Sequence, residues 1–270
     1  MDDIVAQGDQ PDLNIIGGDA APYGKYPQVC QLLSFFQVNG TEQIVRAFCS
    51  ATIINEFTIM TNAHCLQTDI GGLVFLGQRT VYCGVANSPF ISGIVDYYHQ
   101  FRDVKSEQIH PQFIDESFGF EASIEYDIAL VQLVAPLVFN DFVQPTKLWN
   151  GLDRVPDQCQ SVGFGLAESE FGSPDLSPVM REVTLTRRTN SRCQMFGDNV
   201  PLTDNNICFF NTGAENQRTC GGDSGGPALC GGVQVGITTY GRSGCDNRSY
   251  GGNMNVARFF DWIKDNTFHS

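Results

Sequence analysis

A glycine-rich stretch toward the C-terminus places one serine among residues that give the backbone unusual freedom. It reads CGGDSGGP from residue 220 to residue 227, with Ser224 at its centre. A serine hydroxyl is a poor nucleophile at neutral pH, so it requires a base within hydrogen-bond reach and donors for the oxyanion that it creates. Glycine backbone can adopt left-handed angles and direct N–H groups at a substrate carbonyl. We interpret Ser224 as a candidate nucleophile, with an ordinary glycine-rich turn as the alternative for this stretch alone.

A histidine and an aspartate earlier in the chain could act together with this serine. His64 stands beside Cys65 at the end of a β-rich run, and a disulfide from Cys49 to Cys65 could hold that strand end in place. Asp127 precedes the apolar run IALVQL, which is typical of a buried strand. Burying a carboxylate unpaired costs several kcal/mol, so Asp127 requires a hydrogen-bond cluster or a histidine. A lone histidine is usually structural, but one held in this way could serve as a base.

The N-terminal residues predict a removable leader. Residues 1–14 are polar and contain no cysteine, and IIGG follows from Ile15. Cleavage after Asn14 would give Ile15 a free ammonium group on an apolar side chain, which can be buried if it finds a carboxylate. We therefore expect residues 1–14 to be a loose leader.

Composition limits the class of protein. The chain has 270 residues, of which 42% are hydrophobic and 17% charged, and no apolar run is long enough to span a bilayer. Its net charge of −14 repels nucleic acid and acidic membranes, and favours solubility over attraction of basic substrates. We expect a soluble monomer.

The cysteines favour an oxidising compartment. Ten cysteines without C-x-x-C spacing predict disulfides and disfavour zinc, so we expect a secreted, extracellular protein. The sequons at Asn39 and Asn247 are glycosylation candidates that fit this location. The first residues lack the basic start and apolar run of a signal peptide.

Short β-rich runs separated by turns predict an all-β fold. They cover residues 29–33, 44–48 and 51–61, and they resume around Val162, 183–186 and 233–239. Residues 139–157 have the composition of a connection between two halves. At the C-terminus the period changes, because Val256, Phe259, Phe260 and Ile263 fall on one helical face. We predict a terminal amphipathic helix that packs on the β-structure.

Four motifs together resemble the chymotrypsin-like (trypsin-fold) serine endopeptidases. They are IIGG at 15–18, TNAHC at 61–65, YDIALVQL at 126–133 and CGGDSGGP at 220–227, in the order of the family. The resemblance covers nearly everything after the leader. It implies an all-β fold of two six-stranded antiparallel Greek-key barrels and a C-terminal helix, with the site in the cleft between the barrels. The implied bounds are a leader at 1–14, a peptidase domain at 15–270, barrels at about 29–140 and about 155–250, and a helix at about 255–266.

The resemblance also implies a role for each site residue. His64 would be the base, Asp127 would orient it, and Ser224 would be the nucleophile. The N–H groups of Gly222 and Ser224 would form the oxyanion hole. The freed ammonium of Ile15 would pair with Asp223 and order the site. The implied disulfides are Cys49–Cys65, Cys159–Cys230, Cys193–Cys208 and Cys220–Cys245, which leaves Cys30 and Cys83 as a fifth pair by subtraction.

Arg218 occupies the implied floor of the specificity pocket. Trypsin-like members have aspartate there, so cleavage after Lys or Arg is disfavoured. The guanidinium either binds an acidic substrate side chain, or Asp246 or another local acid neutralises it and leaves an apolar or partly blocked pocket. The other implied pocket residues are Thr239, Tyr240, Gly241 and Gly251.

No cofactor and no metal is implied, since the loop after Leu76 and Gly77 lacks the glutamates that bind calcium in trypsins. The expected partners are protein or peptide substrates, an activating protease and protein inhibitors. The competing hypothesis is a catalytically inactive homologue that acts by binding.

Overall fold

Two closed antiparallel barrels make up most of the computed structural model. It describes residues 18–70, 72–89, 91–114, 125–168, 174–194, 202–210, 219–240 and 251–269. The strands are β1 (Asp19–Ala20), β2 (Val29–Val38), β3 (Ile44–Asn55), β4 (Thr58–Thr61), β5 (Asp69–Ile70), β6 (Leu73–Cys83), β7 (Gln100–Ile109), β8 (Ala129–Leu133), β9 (Lys147–Leu148), β10 (Gln158–Gly163), β11 (Leu166–Glu168), β12 (Pro174–Leu176), β13 (Arg181–Arg188), β14 (Asn206–Phe210), β15 (Pro227–Cys230), β16 (Val233–Tyr240) and β17 (Gly251–Asn255). The helices are a 3₁₀ turn (His64–Leu66), α1 (Asn190–Gln194) and α2 (Val256–Asn266).

Each barrel closes through six strands. The first follows the order β2-β3-β4-β8-β7-β6 and closes through the pairing of β2 with β6. The second follows β13-β10-β15-β16-β17-β14 and closes through β13 with β14. This architecture confirms the predicted all-β fold of two six-stranded barrels followed by a helix.

Strand β8 is buried on both faces, which explains its continuous apolar sequence. Ala129, Val131 and Leu133 point into the core of the first barrel. Ile128 and Leu130 point the other way, into a second apolar cluster that contains residues of α2. The two faces thereby fix the strand whose beginning carries Asp127.

Helix α2 packs against both barrels, because its apolar cluster contains Ile128 and Leu130 of the first barrel and Ile237 and Met254 of the second. Its buried residues Val256, Phe259 and Ile263 pack in the cluster with β8, and the side chain of Asn255 caps its first turn. Beyond the helix, the carbonyl of Phe268 accepts hydrogen bonds from first-barrel side chains. The donors are Asn55 Nδ2 at 2.7 Å and Thr58 Oγ1 at 3.0 Å. The predicted helix is confirmed, with Phe260 only partly buried.

Two details of the strand prediction were incomplete. The β-rich run over 51–61 is divided by a turn, because Asn55 Oδ1 accepts the N–H of Phe57 and ends β3. The connection over 139–157 contains β9, which pairs in parallel with β16. A two-residue strand has no periodicity that a sequence pattern could show. None of the helices in the described ranges is long and apolar enough to cross a bilayer.

Candidate active site

The histidine and the aspartate meet at the end of the first barrel. Strand β4 ends at Thr61, and the 3₁₀ turn that follows presents His64 toward the residue before β8. His64 Nδ1 lies 2.7 Å from Asp127 Oδ2, and the backbone N–H of His64 donates to Asp127 Oδ1 at 2.8 Å. Asp127 is 3% exposed, so the histidine satisfies both oxygens of a buried carboxylate. In neutral imidazole this bond puts the proton on Nδ1 and leaves Nε2 as the acceptor.

The aspartate makes His64 a stronger base. Burial lowers the pKa of His64, but the negative charge of Asp127 and its hydrogen bond raise it more, so the pKa lies above its ordinary value. A base with a raised pKa takes a proton more readily, which favours abstraction of a hydroxyl proton near neutral pH.

A strained residue directs Asp127 toward the histidine. Tyr126 has φ of 58°, a left-handed conformation that is uncommon for a residue with a large side chain. Its ring stacks on His110 with centroids 4.9 Å apart, and its carbonyl accepts the N–H of Ile128 at 2.7 Å. The sequence did not predict that Tyr126 and His110 lie against each other next to Asp127, since no residue pattern there indicates a left-handed backbone or a stacked pair of rings.

The serine lies in a turn that only glycine neighbours permit. Gly222 and Gly225 have φ of 93° and 82°. A Cβ on Gly225 would lie 2.1 Å from the carbonyl oxygen of Ser50. The carbonyl of Ser224 accepts the N–H of Ser50 at 2.8 Å, and Gly225 N–H donates to the carbonyl of Thr238 at 2.8 Å. Both barrels therefore hold the turn that carries Ser224.

Two backbone donors beside the serine are unoccupied. The N–H groups of Gly222 and Ser224 have no acceptor among the described residues, whereas Asp223, Gly225 and Gly226 all donate within the fold. Free N–H groups at these two positions are the arrangement that an oxyanion hole requires.

Asp223 points away from the serine into the protein. It is 1% exposed, and its oxygens accept the N–H groups of Gly165 at 2.8 Å and Cys220 at 2.9 Å. A Cβ on Gly163 would lie 2.3 Å from Asp223 Oδ1, so the carboxylate fills space that glycine leaves. Burial raises the pKa of Asp223 to about 6 against the opposing effect of the two N–H bonds. Within the ranges that the structure covers, no cation pairs with it.

The residues predicted to be the base, the nucleophile and part of the oxyanion hole line one cavity of about 260 Å³. His64, Ser224 and Gly222 line it, and the other walls come mainly from β2, β3 and the turn after β4. No hydrogen bond joins His64 Nε2 to the Ser224 hydroxyl among the described residues. Nε2 lies 3.7 Å from Cys65 Sγ, and His64 and Ser224 both line the cavity. Hydrogen bonds between catalytic groups are often long before substrate binds.

A model of one protein family covers nearly the whole chain. The match is to the family described as Trypsin, over residues 15–263. The chain belongs to the trypsin family. It is therefore a serine endopeptidase, a hydrolase that acts on protein or peptide substrates.

Relatives and a solved structure agree with this membership. The chain is 29% identical to trypsin of Phaedon cochleariae over 257 residues, which cover 95% of this chain and 90% of the relative. It is 30% identical to alkaline trypsin A of Manduca sexta over 257 residues, covering 94% and 91%. In fold it resembles neuropsin, a serine protease expressed in the limbic system of mouse brain. The TM-score is 0.72 at 22% identity, with 92% of this chain and 97% of neuropsin covered.

The disulfides support the trypsin-family site from both sides. Cys49–Cys65 lies next to His64, and Cys30–Cys83 joins β2 to β6 in the same barrel. The second barrel contains Cys159–Cys230 and Cys193–Cys208. Cys220 is also disulfide-bonded, and its expected partner Cys245 lies outside the described residues. The Sγ and ring nitrogen atoms of Cys49, Cys65 and His64 are close together, but two thiols joined as a disulfide are not available as thiolate ligands.

The structure places part of the expected specificity pocket. Thr239 is buried on β16, and Tyr240 ends that strand. Gly251 begins β17, and a Cβ there would meet Thr219 Oγ1 at an ordinary 3.6 Å. The residues Ile15, Arg218, Gly241, Asp246 and Asn247 lie outside the described residues. Asn39 is exposed in the turn between β2 and β3.

Proposed function

We propose that the chain is a secreted serine endopeptidase that cleaves peptide bonds through an acyl-enzyme formed on Ser224. The observation that carries this proposal is the pair of hydrogen bonds from His64 to the buried carboxylate of Asp127, beside the cavity that Ser224 shares. The bond at Nδ1 keeps the proton on that nitrogen and leaves the lone pair of Nε2 to act as the base.

In the first half of the reaction, Ser224 Oγ attacks the substrate carbonyl carbon while its proton passes to His64 Nε2. The carbonyl π electrons move to the oxygen, which receives the N–H groups of Gly222 and Ser224. The C–N bond then breaks, and His64 gives the proton to the leaving amine. Asp127 accepts the hydrogen bond from Nδ1 and stabilises the imidazolium while His64 holds the second proton.

In the second half, water replaces the departed amine. His64 takes a proton from the water as its oxygen attacks the acyl carbon, and the oxyanion again occupies the two N–H groups. The bond to Ser224 breaks, the serine recovers a proton from His64, and the carboxylic acid product leaves. The enzyme returns to its starting protonation state.

The same proposal includes activation by cleavage between Asn14 and Ile15. Asp223 is buried next to the oxyanion donors and has no cation partner in the described ranges, so a new ammonium group would relieve an unfavourable charge. The amine pKa would rise above its ordinary value of about 8, because the ion pair favours the charged form. The pair therefore stabilises the active site at lower pH and is lost as pH rises through that raised pKa, so activity declines in alkali. Asn14 implies an activator that is not trypsin-like.

The specificity is proposed to be non-tryptic, because Arg218 stands where a basic side chain would otherwise bind. Enrichment of Asp or Glu before the cleaved bond in a peptide library would indicate that Arg218 receives the substrate. Enrichment of aromatic residues or Leu would indicate that Asp246 or another acid neutralises it. Asn39 and Asn247 are proposed glycosylation sites, and a loss of mass on glycosidase treatment would test them.

Labelling with a fluorophosphonate probe tests the nucleophile. The chain cleaved before Ile15 should be labelled on Ser224 and hydrolyse a peptide library, whereas the uncleaved chain and the cleaved Ser224→Ala variant should do neither. Strong labelling of the uncleaved chain would contradict the activation step. Absence of labelling and hydrolysis in the cleaved chain would instead support the inactive homologue that acts by binding.

A further inference from the structure

Asn62, two residues before His64, joins the two barrels behind the active site. It is fully buried, at 0% exposure, where the barrels meet. Its amide nitrogen donates to the backbone carbonyl of Asp127 at 2.7 Å and to Thr239 Oγ1 at 3.1 Å. Asp127 belongs to the first barrel and Thr239 to strand β16 of the second. One amide group therefore links the aspartate of the acid–base pair to the opposite barrel.

The orientation of this amide follows from its neighbours. The Thr239 hydroxyl uses its one proton on the carbonyl of Ile237 at 2.9 Å, so it can only accept from Asn62. The carbonyl of Asp127 is also an acceptor only. Both contacts thus require the NH₂ group of Asn62, and its Oδ1 is left without a partner among the described residues. A buried acceptor without a partner costs folding free energy, so the amide is not the side chain that packing alone would favour.

The link continues to the nucleophile. Thr238, the neighbour of Thr239, accepts the N–H of Gly225 at 2.8 Å and donates its own N–H to Gly226 at 2.8 Å. These two glycines follow Ser224 directly. Asn62 thereby connects Asp127, through one strand end, to the turn that carries Ser224.

We propose that Asn62 is a positioning residue that sets the distance and direction of the His64–Asp127 pair relative to Ser224. It does not contact the substrate; it acts through Asp127 and Thr239. The inference rests on the proposed function, because it concerns how the two parts of that catalytic site are aligned.

Asn62→Leu tests the inference, since leucine has a similar volume and cannot donate. In the cleaved enzyme we expect kcat to fall about 10- to 100-fold with KM little changed, because a misplaced catalytic group impairs the chemical step. The acid limb of the kcat/KM profile should also move to lower pH. Asp127, the charged group that contacts His64 among the described residues, raises the pKa of His64, and looser placement weakens that effect.

Thr52→Val is the matched control. Thr52 is also 0% exposed and its Oγ1 has no partner in the described ranges, but it makes no hydrogen bond to either half of the site. It should retain the wild-type kcat and pH profile. A similar loss in this variant would mean that any buried polar substitution disturbs the enzyme, and would overturn the specific role of Asn62.

Thr239→Val tests the same link between the barrels, and its result does not depend on whether Asn62→Leu folds. It removes the acceptor in the second barrel, and we expect the double variant with Asn62→Leu to lose no more than the worse single variant, because both break one link. Asn62→Ala replaces Asn62→Leu if leucine prevents folding. The inference fails if the Asn62 variants stay within about twofold of wild-type kcat with an unshifted profile. Inactive cleaved wild type, without fluorophosphonate labelling, would instead overturn the proposed function.

Discussion

The two parts of the site differ in how their buried carboxylates are compensated. In the first barrel, Asp127 is 3% exposed and receives two hydrogen bonds from His64. In the second, Asp223 is 1% exposed and receives two backbone N–H groups, with no cation among the described residues. The carboxylate of Asp127, in the predicted acid–base pair, is therefore compensated by a histidine among the described residues, whereas the buried carboxylate in the turn that carries Ser224 has only backbone N–H partners there.

This difference identifies where control can act. A new positive charge would stabilise a buried carboxylate that has no cation partner among the described residues, and the N–H groups of Gly222 and Ser224 lie on either side of Asp223. The pair His64 and Asp127 needs no such change. We expect a change near Asp223 in the second barrel to turn activity on or off, and the His64–Asp127 pair in the first barrel to determine the size of kcat. Four substitutions or conditions test this division.

Asp127→Asn should have the largest effect. An asparagine amide donates to His64 Nδ1 where the carboxylate accepts, so the histidine takes the wrong tautomer, and kcat of the cleaved enzyme should fall by about 10⁴-fold. Single-turnover and steady-state hydrolysis measure this loss. Asp103→Asn is the control, because Asp103 bonds Thr80 at 3.0 Å in the same barrel. A loss below about tenfold would show that Asp127 does not orient the base.

Asp223→Asn should follow in size. Without the carboxylate, the ammonium of Ile15 has no partner and the oxyanion donors are not ordered, so kcat should fall about 100- to 1,000-fold. The cleaved variant is compared with Asp141→Asn, an exposed aspartate. Equal activity of the cleaved and uncleaved Asp223→Asn chains is expected. A cleaved variant as active as wild type would contradict the assignment of Asp223.

The pH dependence of stability should distinguish Asp223 before activation. Burial raises its pKa to about 6 from 3.8, which is equivalent to about 3 kcal/mol. Because the folded chain binds this proton more tightly, the contribution is largest below about pH 4 and is lost as pH rises through about 6. Urea unfolding of the uncleaved chain should show this decrease, and Asp223→Asn should lack it. Cleavage before Ile15 should reduce it. Identical pH curves for wild type and Asp223→Asn would refute the effect.

Ser50→Ala should give the smallest effect. Ser50 is the first-barrel residue whose hydroxyl donates to the carbonyl of Gly222 at 3.3 Å. One such bond contributes about 1 kcal/mol, so the variant should lose roughly fivefold in kcat/KM. Ser92→Ala is the control, since it removes a similar bond, to the carbonyl of Ser88, away from the site. An equal loss in both variants would assign the effect to stability alone.

The sequence predicted the fold, because the strands and the terminal helix depend on local patterns. Glycines around Ser224, the apolar run after Asp127 and the cysteine beside His64 each indicate a local conformation. The four motifs occur along the chain in the same order as in the family, and this order indicated the resemblance. The terminal helix was predictable from its apolar face alone.

The features that the sequence did not reveal depend on contacts between distant residues. Asn62 reads as an ordinary polar residue, and only the meeting of Asp127 and Thr239 gives its amide two acceptors. Tyr126 has a left-handed backbone, and its ring contacts His110 and Phe259 of α2, which lie far from it in the sequence. The pairing of β9 with β16 joins Lys147 to Val233, which are distant in the sequence, and a two-residue strand gives no pattern to detect.

The position of α2 has a consequence for synthesis on the ribosome. Met60, Ile128 and Leu130 of the first barrel pack in one cluster with later parts of the chain, namely Ile237 and Met254 of the second barrel and Val256, Phe259 and Ile263 of α2. Synthesis proceeds from the N-terminus, so Met60, Ile128 and Leu130 leave the ribosome long before the residues that bury them are made. The first half of the nascent chain therefore exposes an apolar surface, and chaperones that bind such surfaces should associate with it until translation ends.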